Sequence, residues 1–144
     1  MEPGVLSVVI GGEVDAAEVR GSIGKKLPGS LVQTVDSRAA ANGAFVDMIA
    51  AQTLSATKTD SLLAKKPEVD FLLRLARTTQ ISKAIEVVGA KKGRPFLLVV
   101  AGPSKQVENI RADVLGGTKL QRRPLSKDEL EKVEIAALLN VEKA

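Results

Sequence analysis

Apolar and polar residues between Pro67 and Gly102 follow the periods of two helices and then a strand. The first helix has an apolar residue at each of positions i, i+3, i+4 and i+7, namely Val69, Leu72, Leu73 and Ala76. This spacing predicts one buried helix face. Pro67 stands where a first helical residue belongs, because its missing N–H would have no partner there.

The second helix repeats the pattern with Ile81, Ala84, Ile85 and Val88. We expect Thr78 and Thr79 to cap its start and Gly89 to adopt a left-handed conformation after its end. Pro95 to Ala101 is a short apolar run that predicts a buried strand. Ile85 is expected in the core, and Ile81, at the open beginning of the helix, is the better candidate for a partner contact.

The rest of the chain predicts two strands before this region and a strand and a helix near the end. The expected segments are strands at Val5–Ile10, Ser30–Asp36 and Thr118–Gln121, with helices at Asp15–Gly24, from Asn42, from Asp60, Pro103–Leu115 and Ser126–Leu139. The helix after Asn42 has the inner stripe Val46, Ile49, Ala50 and Thr53, and Ser55–Thr59 is expected to break it. The last helix is expected to bury Leu130, Val133, Ala137 and Leu138.

These elements do not alternate as β-α-β units, because several helices intervene between the second and third strands. We therefore expect a single α+β domain over residues 1–144, with a small, mostly antiparallel or mixed sheet of about four strands packed by helices.

Composition excludes several kinds of chemistry. The chain has no His and no Cys, so histidine bases, thiolate nucleophiles, disulfides and zinc sites with N/S ligands are ruled out. No pair of carboxylates suggests an acid and a base, and we expect no catalytic residue, metal or cofactor. No apolar run approaches the roughly 18 residues of a membrane span. We expect a cytoplasmic protein with no membrane partner and no small-molecule substrate.

Positive charge is concentrated in the middle of the chain. Nine basic and four acidic residues lie between Lys58 and Arg94, whereas the whole chain is only +4. A basic segment on an otherwise balanced chain favours an anionic partner. The three Phe are expected in the core and there is no Tyr or Trp, so base recognition by aromatic stacking is not expected.

The two-helix segment resembles the small kinase-binding, regulatory subunit of the KEOPS complex, of the archaeal type. KEOPS makes the threonylcarbamoyl modification of adenosine in tRNA. The matching residues are Leu73, Leu75, Ala76, Gln80, Ile81, Ala84, Ile85 and Gly89. The family often has an Arg directly before the Gln, where this chain has Thr79; the nearest Arg is Arg77.

The resemblance implies a non-catalytic subunit that binds the kinase-like ATPase of KEOPS and recruits tRNA through its 3′ CCA end. Our hypothesis assigns partner binding to Leu73, Ile81 and Ala84. It assigns tRNA binding to basic residues, namely Lys58, Arg74, Arg77, Lys83, Lys91 and Lys92.

Two other interpretations remain open. Thr79–Glu86, followed by Val87, Val88 and Gly89, is weakly similar to an element of ribosomal proteins that bind kink-turn RNA, although the Asn-Glu pair of that element is missing. The other is a nucleotide-linked enzyme that uses Lys and carboxylates. The turn Gly102–Lys105, however, lacks the P-loop spacing.

Overall fold

A computed structural model describes residues 3–111 and 116–143. The described elements, in chain order, are β1 (Pro3–Ile10), α1 (Ala16–Lys26), β2 (Leu31–Asp36), α2 (Gly43–Lys58), α3 (Pro67–Ala76), α4 (Ile81–Val88), β3 (Phe96–Pro103), α5 (Ser104–Arg111), β4 (Thr118–Lys119) and α6 (Lys127–Lys143). A 3-10 turn at Ser37–Ala39 follows β2. The architecture is α+β, as the sequence predicts.

The four strands form one antiparallel sheet in the order β2-β3-β1-β4. β3 is central, and its side chains are buried from Phe96 to Gly102. Leu97, Val99 and Ala101 point to one face and Leu98 and Val100 to the other, because successive side chains alternate along a strand.

Helices cover both faces of this sheet. α1 and α5 pack on one face through Ile23, Leu27, Val107 and Ile110. α2, α3, α4 and α6 contribute to the larger cluster on the other face. α3 lies inside this cluster and is buried at six consecutive residues, Asp70 to Leu75, so it presents no single inward face.

One local prediction is confirmed, and two helix starts are well capped. The inner stripe of α2 is buried as expected. Ser126 and Glu129 form a reciprocal capping box, because Glu129 N–H donates to Ser126 Oγ at 3.1 Å and Ser126 N–H donates to Glu129 Oε1 at 2.9 Å. Asp15 caps α1 through the N–H of Ala17.

Other local predictions are wrong. α2 continues through the expected break to Lys58, and Asp60 lies in a turn with φ of 54° and starts no helix. Gly89 has φ of −63° and pairs with Val35 as an isolated bridge, so it is extended and not left-handed. The left-handed residue of this region is Arg77, with φ of 58°.

Two other helices also differ from the prediction, α5 in its start and α6 in its buried face. Pro103 ends β3, and α5 begins at Ser104; the expected end of that helix at Leu115 lies outside the described residues. α6 buries Val133, Ala136 and Leu139, whereas Leu130, Ala137 and Leu138 are exposed. Within the described ranges, no helix is long and apolar enough to cross a bilayer.

Candidate binding cleft and basic rim

A cleft of about 620 Å³ opens between the start of α1, helix α4 and the loop that joins α4 to β3. Its volume is within the usual range for a pocket that binds a small molecule. Residues of β2 and α3 form its floor, among them Gln33, Thr34, Val69 and Leu72.

One wall of the cleft is apolar and comes from α4. Ala84 and Val88 anchor this short helix in the core. Ile81 and Ile85 lie one turn apart on the adjoining face, line the cleft and leave 49% and 54% of their surfaces exposed. Two large apolar side chains exposed side by side at the edge of a cleft are typical of a surface that binds a partner.

A buried amide organises the polar floor. Gln33 Oε1 accepts the N–H of Thr34 at 2.9 Å and Arg20 Nη1 at 3.3 Å, while Gln33 Nε2 donates to the carbonyl of Glu68 at 3.0 Å. These bonds connect β2 to α1 and α3. They also hold the guanidinium of Arg20 at the cleft.

The basic rim lies at the end of α4. Lys91 Nζ donates to the carbonyls of Glu86 and Gly89 at 3.0 and 3.1 Å, so its charge is fixed at the C-terminus of this helix. Lys92 is exposed and lines the same cleft. Glu13 and Asp15 also line the cleft, so its lining carries acidic as well as basic groups.

Asp36 anchors the loop that carries Lys91 and Lys92. Its carboxylate is 3.6 Å from Arg94 Nε and 3.4 Å from Arg38 Nη2, and it accepts the N–H of Arg38. Burial alone would raise the pKa of Asp36, but the hydrogen bonds from Arg38 and the charges of Arg38 and Arg94 lower it overall. The ionised carboxylate therefore holds the loop against β2 at neutral pH.

The six basic residues of the sequence hypothesis do not share one surface. Lys91 and Lys92 line the cleft. Lys83 is two residues from both Ile81 and Ile85, which is about 200° around the helix, so it lies on the other side of α4. Lys58 is exposed at the end of α2, outside the cleft lining.

The two arginines of that hypothesis differ in burial. Arg77 is half-buried at the end of α3 and donates to the carbonyl of Leu75. Arg74 is only 2% exposed and pairs with Asp70, so its assignment as a surface tRNA-binding residue is wrong for this fold.

The predicted partner-binding residues are also divided. Leu73 and Ala84 are buried in the core, so neither can contact a partner protein directly. Ile81 is exposed, as expected of a contact residue. Ile85, which was expected in the core, is exposed beside it, because the buried arc of α4 is centred on Ala84 and Val88.

Sequence reasoning missed Arg20 and Gln33. Both lie far from the basic middle segment along the chain, and only packing brings α1 and β2 to the cleft. The available signal was Gln33 between Leu31 and Val35 on one face of the predicted strand, because a buried amide requires hydrogen-bond partners. Among the described residues, no cluster of three or more acidic side chains could hold a metal ion.

No protein-family model matches this chain, and no curated protein matches it significantly. Interpretation of the cleft therefore depends on its chemistry and on the two-helix pattern.

Proposed function

We propose that this protein is a non-catalytic adaptor of the KEOPS type, which binds a kinase-like ATPase and presents the 3′ CCA end of tRNA to the modification machinery. The observation that carries the proposal is the exposure of Ile81 and Ile85 on α4, beside a cleft with Lys91, Lys92 and Arg20.

The apolar pair supports the protein-binding part. Ile81 belongs to the Gln-Ile segment on which the resemblance depends, and Ile85 extends it by one turn. Two β-branched side chains on a rigid, anchored helix lose little conformational freedom on binding, which suits the centre of an interface.

The basic side chains that line the cleft support the nucleic-acid part. Lys92 and Arg20 can contact phosphates, and the apolar floor formed by Val69, Leu72 and Phe96 can cover one nucleobase without aromatic stacking. These basic residues are fewer than the six of the sequence hypothesis. We therefore expect moderate affinity for tRNA and contact with only a few nucleotides at its 3′ end.

The kinase-binding part is tested with charged substitutions on α4. Ile81→Glu should abolish co-elution with the kinase-like ATPase, because a glutamate would be desolvated at the interface. Val87→Glu is the matched control, since Val87 is 50% exposed on the same helix but lies away from the cleft. Unchanged binding by Ile81→Glu, or equal loss in both variants, would contradict the assignment.

The tRNA part is tested by gel shifts with intact tRNA and with tRNA lacking its CCA tail. We expect weaker binding of the shortened tRNA and a steep dependence on salt. Equal affinities for the two tRNAs would show that the protein does not recognise the CCA tail. A preference for kinked duplex RNA would favour the ribosomal type of protein, and thermal stabilisation by ATP would favour an enzyme.

A further inference from the structure

Helix α6 is apolar on both of its sides. Val133, Ala136 and Leu139 are buried against the core. Leu130, Leu138 and Val141 point outward and are 48%, 59% and 71% exposed. A row of large apolar side chains left exposed on one helix favours a binding surface.

The outward residues form a continuous line. At 100° per residue, positions 130, 134, 137, 138 and 141 lie within about 100° of the helix circumference. We call this set the outer stripe of α6: Leu130, Glu134, Ala137, Leu138 and Val141. Its edge is extended by Met48 of α2, which is also exposed.

A groove borders this stripe and meets it at Ala137. It has a volume of about 340 Å³ and lies between α2 and α6, where small side chains leave room. Ala51, Ser55 and Ala137 line it with Met48, and its polar lining includes Gln52, Asn140 and Arg74, whose charge is paired with the buried Asp70. Small residues allow a second helix to approach closely, and the aliphatic rim supplies apolar area for it to bury.

The charges beside the stripe define the occupant. From Leu130 to Val141 the outward charged residues are Glu131 and Glu134, while Lys132 is paired with Asp128 at 3.1 Å. The stripe is therefore locally acidic on a chain with net charge +4. RNA would be repelled, and two copies of the chain would bring their own glutamates together.

We propose that the outer stripe of α6 is a docking surface for a basic amphipathic helix of a partner protein, whose apolar residues fill the groove and whose Lys or Arg residues pair with Glu131 and Glu134. This surface is separate from the cleft, since none of its residues lines it. It does not depend on the function proposed above.

The probe is a synthetic peptide of about 18 residues, long enough to form a helix in water. It carries Leu at positions i, i+3, i+4 and i+7 and Lys elsewhere, and a second peptide has Glu in place of every Lys. Fluorescence anisotropy measures both affinities for the full chain and for its variants.

The Lys peptide should bind at least about tenfold more tightly than the Glu peptide. The double variant Leu138→Ser/Val141→Ser should lose at least about tenfold in affinity, and Val87→Ser should lose none. Glu131→Lys/Glu134→Lys should reverse the preference between the peptides. All of these residues are exposed, so circular dichroism should show an unchanged fold.

Equal binding of the two peptides, binding of neither, or equal loss in Val87→Ser would overturn the proposal. So would a dimer of the free chain in sedimentation equilibrium that the Leu138→Ser/Val141→Ser variant abolishes, because the occupant would then be a second copy.

Discussion

Arg74 and Asp70 form a buried ion pair one turn apart on α3, with Nε and Oδ1 2.7 Å apart and Nη2 and Oδ2 3.1 Å apart. Asp70 also accepts the Thr53 hydroxyl at 2.6 Å and the Leu63 N–H at 2.9 Å. Arg74 donates to the carbonyl of Ala136 and to Asn140 Oδ1. The pair therefore joins α3 to α2 and α6.

Arg74→Ala should destabilise the protein by about 3–5 kcal/mol, because Asp70 would remain as an unpaired buried charge. Urea unfolding measures the loss. Asp70→Leu/Arg74→Met should recover only part of it, because the double change removes the buried charge but leaves the Thr53 hydroxyl and the Leu63 N–H without their acceptor. Lys83→Ala, at an exposed position, is the control. A loss below about 1 kcal/mol for Arg74→Ala would mean that the pair is not sealed in the core.

Arg77→Gly should stabilise the fold by about 0.5–1 kcal/mol, because a left-handed φ costs a side-chain residue more than it costs glycine. Thr78 N–H donates to the carbonyl of Leu73, which is the bond expected after a left-handed helix end. Arg77→Ala is the matched control, since alanine keeps the unfavourable φ. A higher melting temperature for Arg77→Ala than for Arg77→Gly would contradict this account.

Glu129→Gln should make the free energy of unfolding depend less on pH in the acid range. The hydrogen bond from the Ser126 N–H lowers the pKa of Glu129 in the folded protein, against the opposing effect of burial. A depressed folded pKa adds stability above the unfolded pKa, near 4.5, and this stability is lost as the pH falls through the folded value. Glutamine keeps the capping bond but does not titrate.

The measurement is the free energy of unfolding from acid to neutral pH for both proteins. The wild type should lose more stability than Glu129→Gln below about pH 4.5, the ordinary value of this carboxyl. Parallel curves for the two proteins would show that Glu129 makes no such contribution.

Lys92→Ala should weaken tRNA binding and reduce the slope of log K against log salt by about 0.7–0.9, the loss of one phosphate contact. Lys83→Ala should change neither quantity, because Lys83 lies on the other side of α4 from the cleft. A loss of affinity with Lys83→Ala and none with Lys92→Ala would favour the broader basic surface of the sequence hypothesis.

The sequence predicted which face of a helix is buried where the opposite face is polar. It did not do so where both faces carry apolar residues. The stripe of α2 could be identified from its spacing, because one face alone is consistently apolar. In α6 both faces carry leucines, so the pattern could not decide between Leu138 and Leu139. The packing of α6 on α2 and α3 makes that choice.

The candidate site was predictable only in its local part. Lys91, Lys92 and Ile81 are close along the chain and stay close in the fold. An arginine such as Arg74 is usually expected at the surface. Here its partner Asp70 is one turn away, and α2 and α6 cover both side chains. Arg20 reaches the cleft through tertiary structure alone. Charge counts cannot supply such information.

The most direct test of the adaptor account is a bridging measurement. The kinase-like ATPase is immobilised, and retention of labelled tRNA is measured with and without this protein. The account predicts that tRNA is retained above background only when the protein is present, that Ile81→Glu abolishes this retention, and that Val87→Glu does not. Equal retention with Ile81→Glu, or none with the wild type, would contradict it.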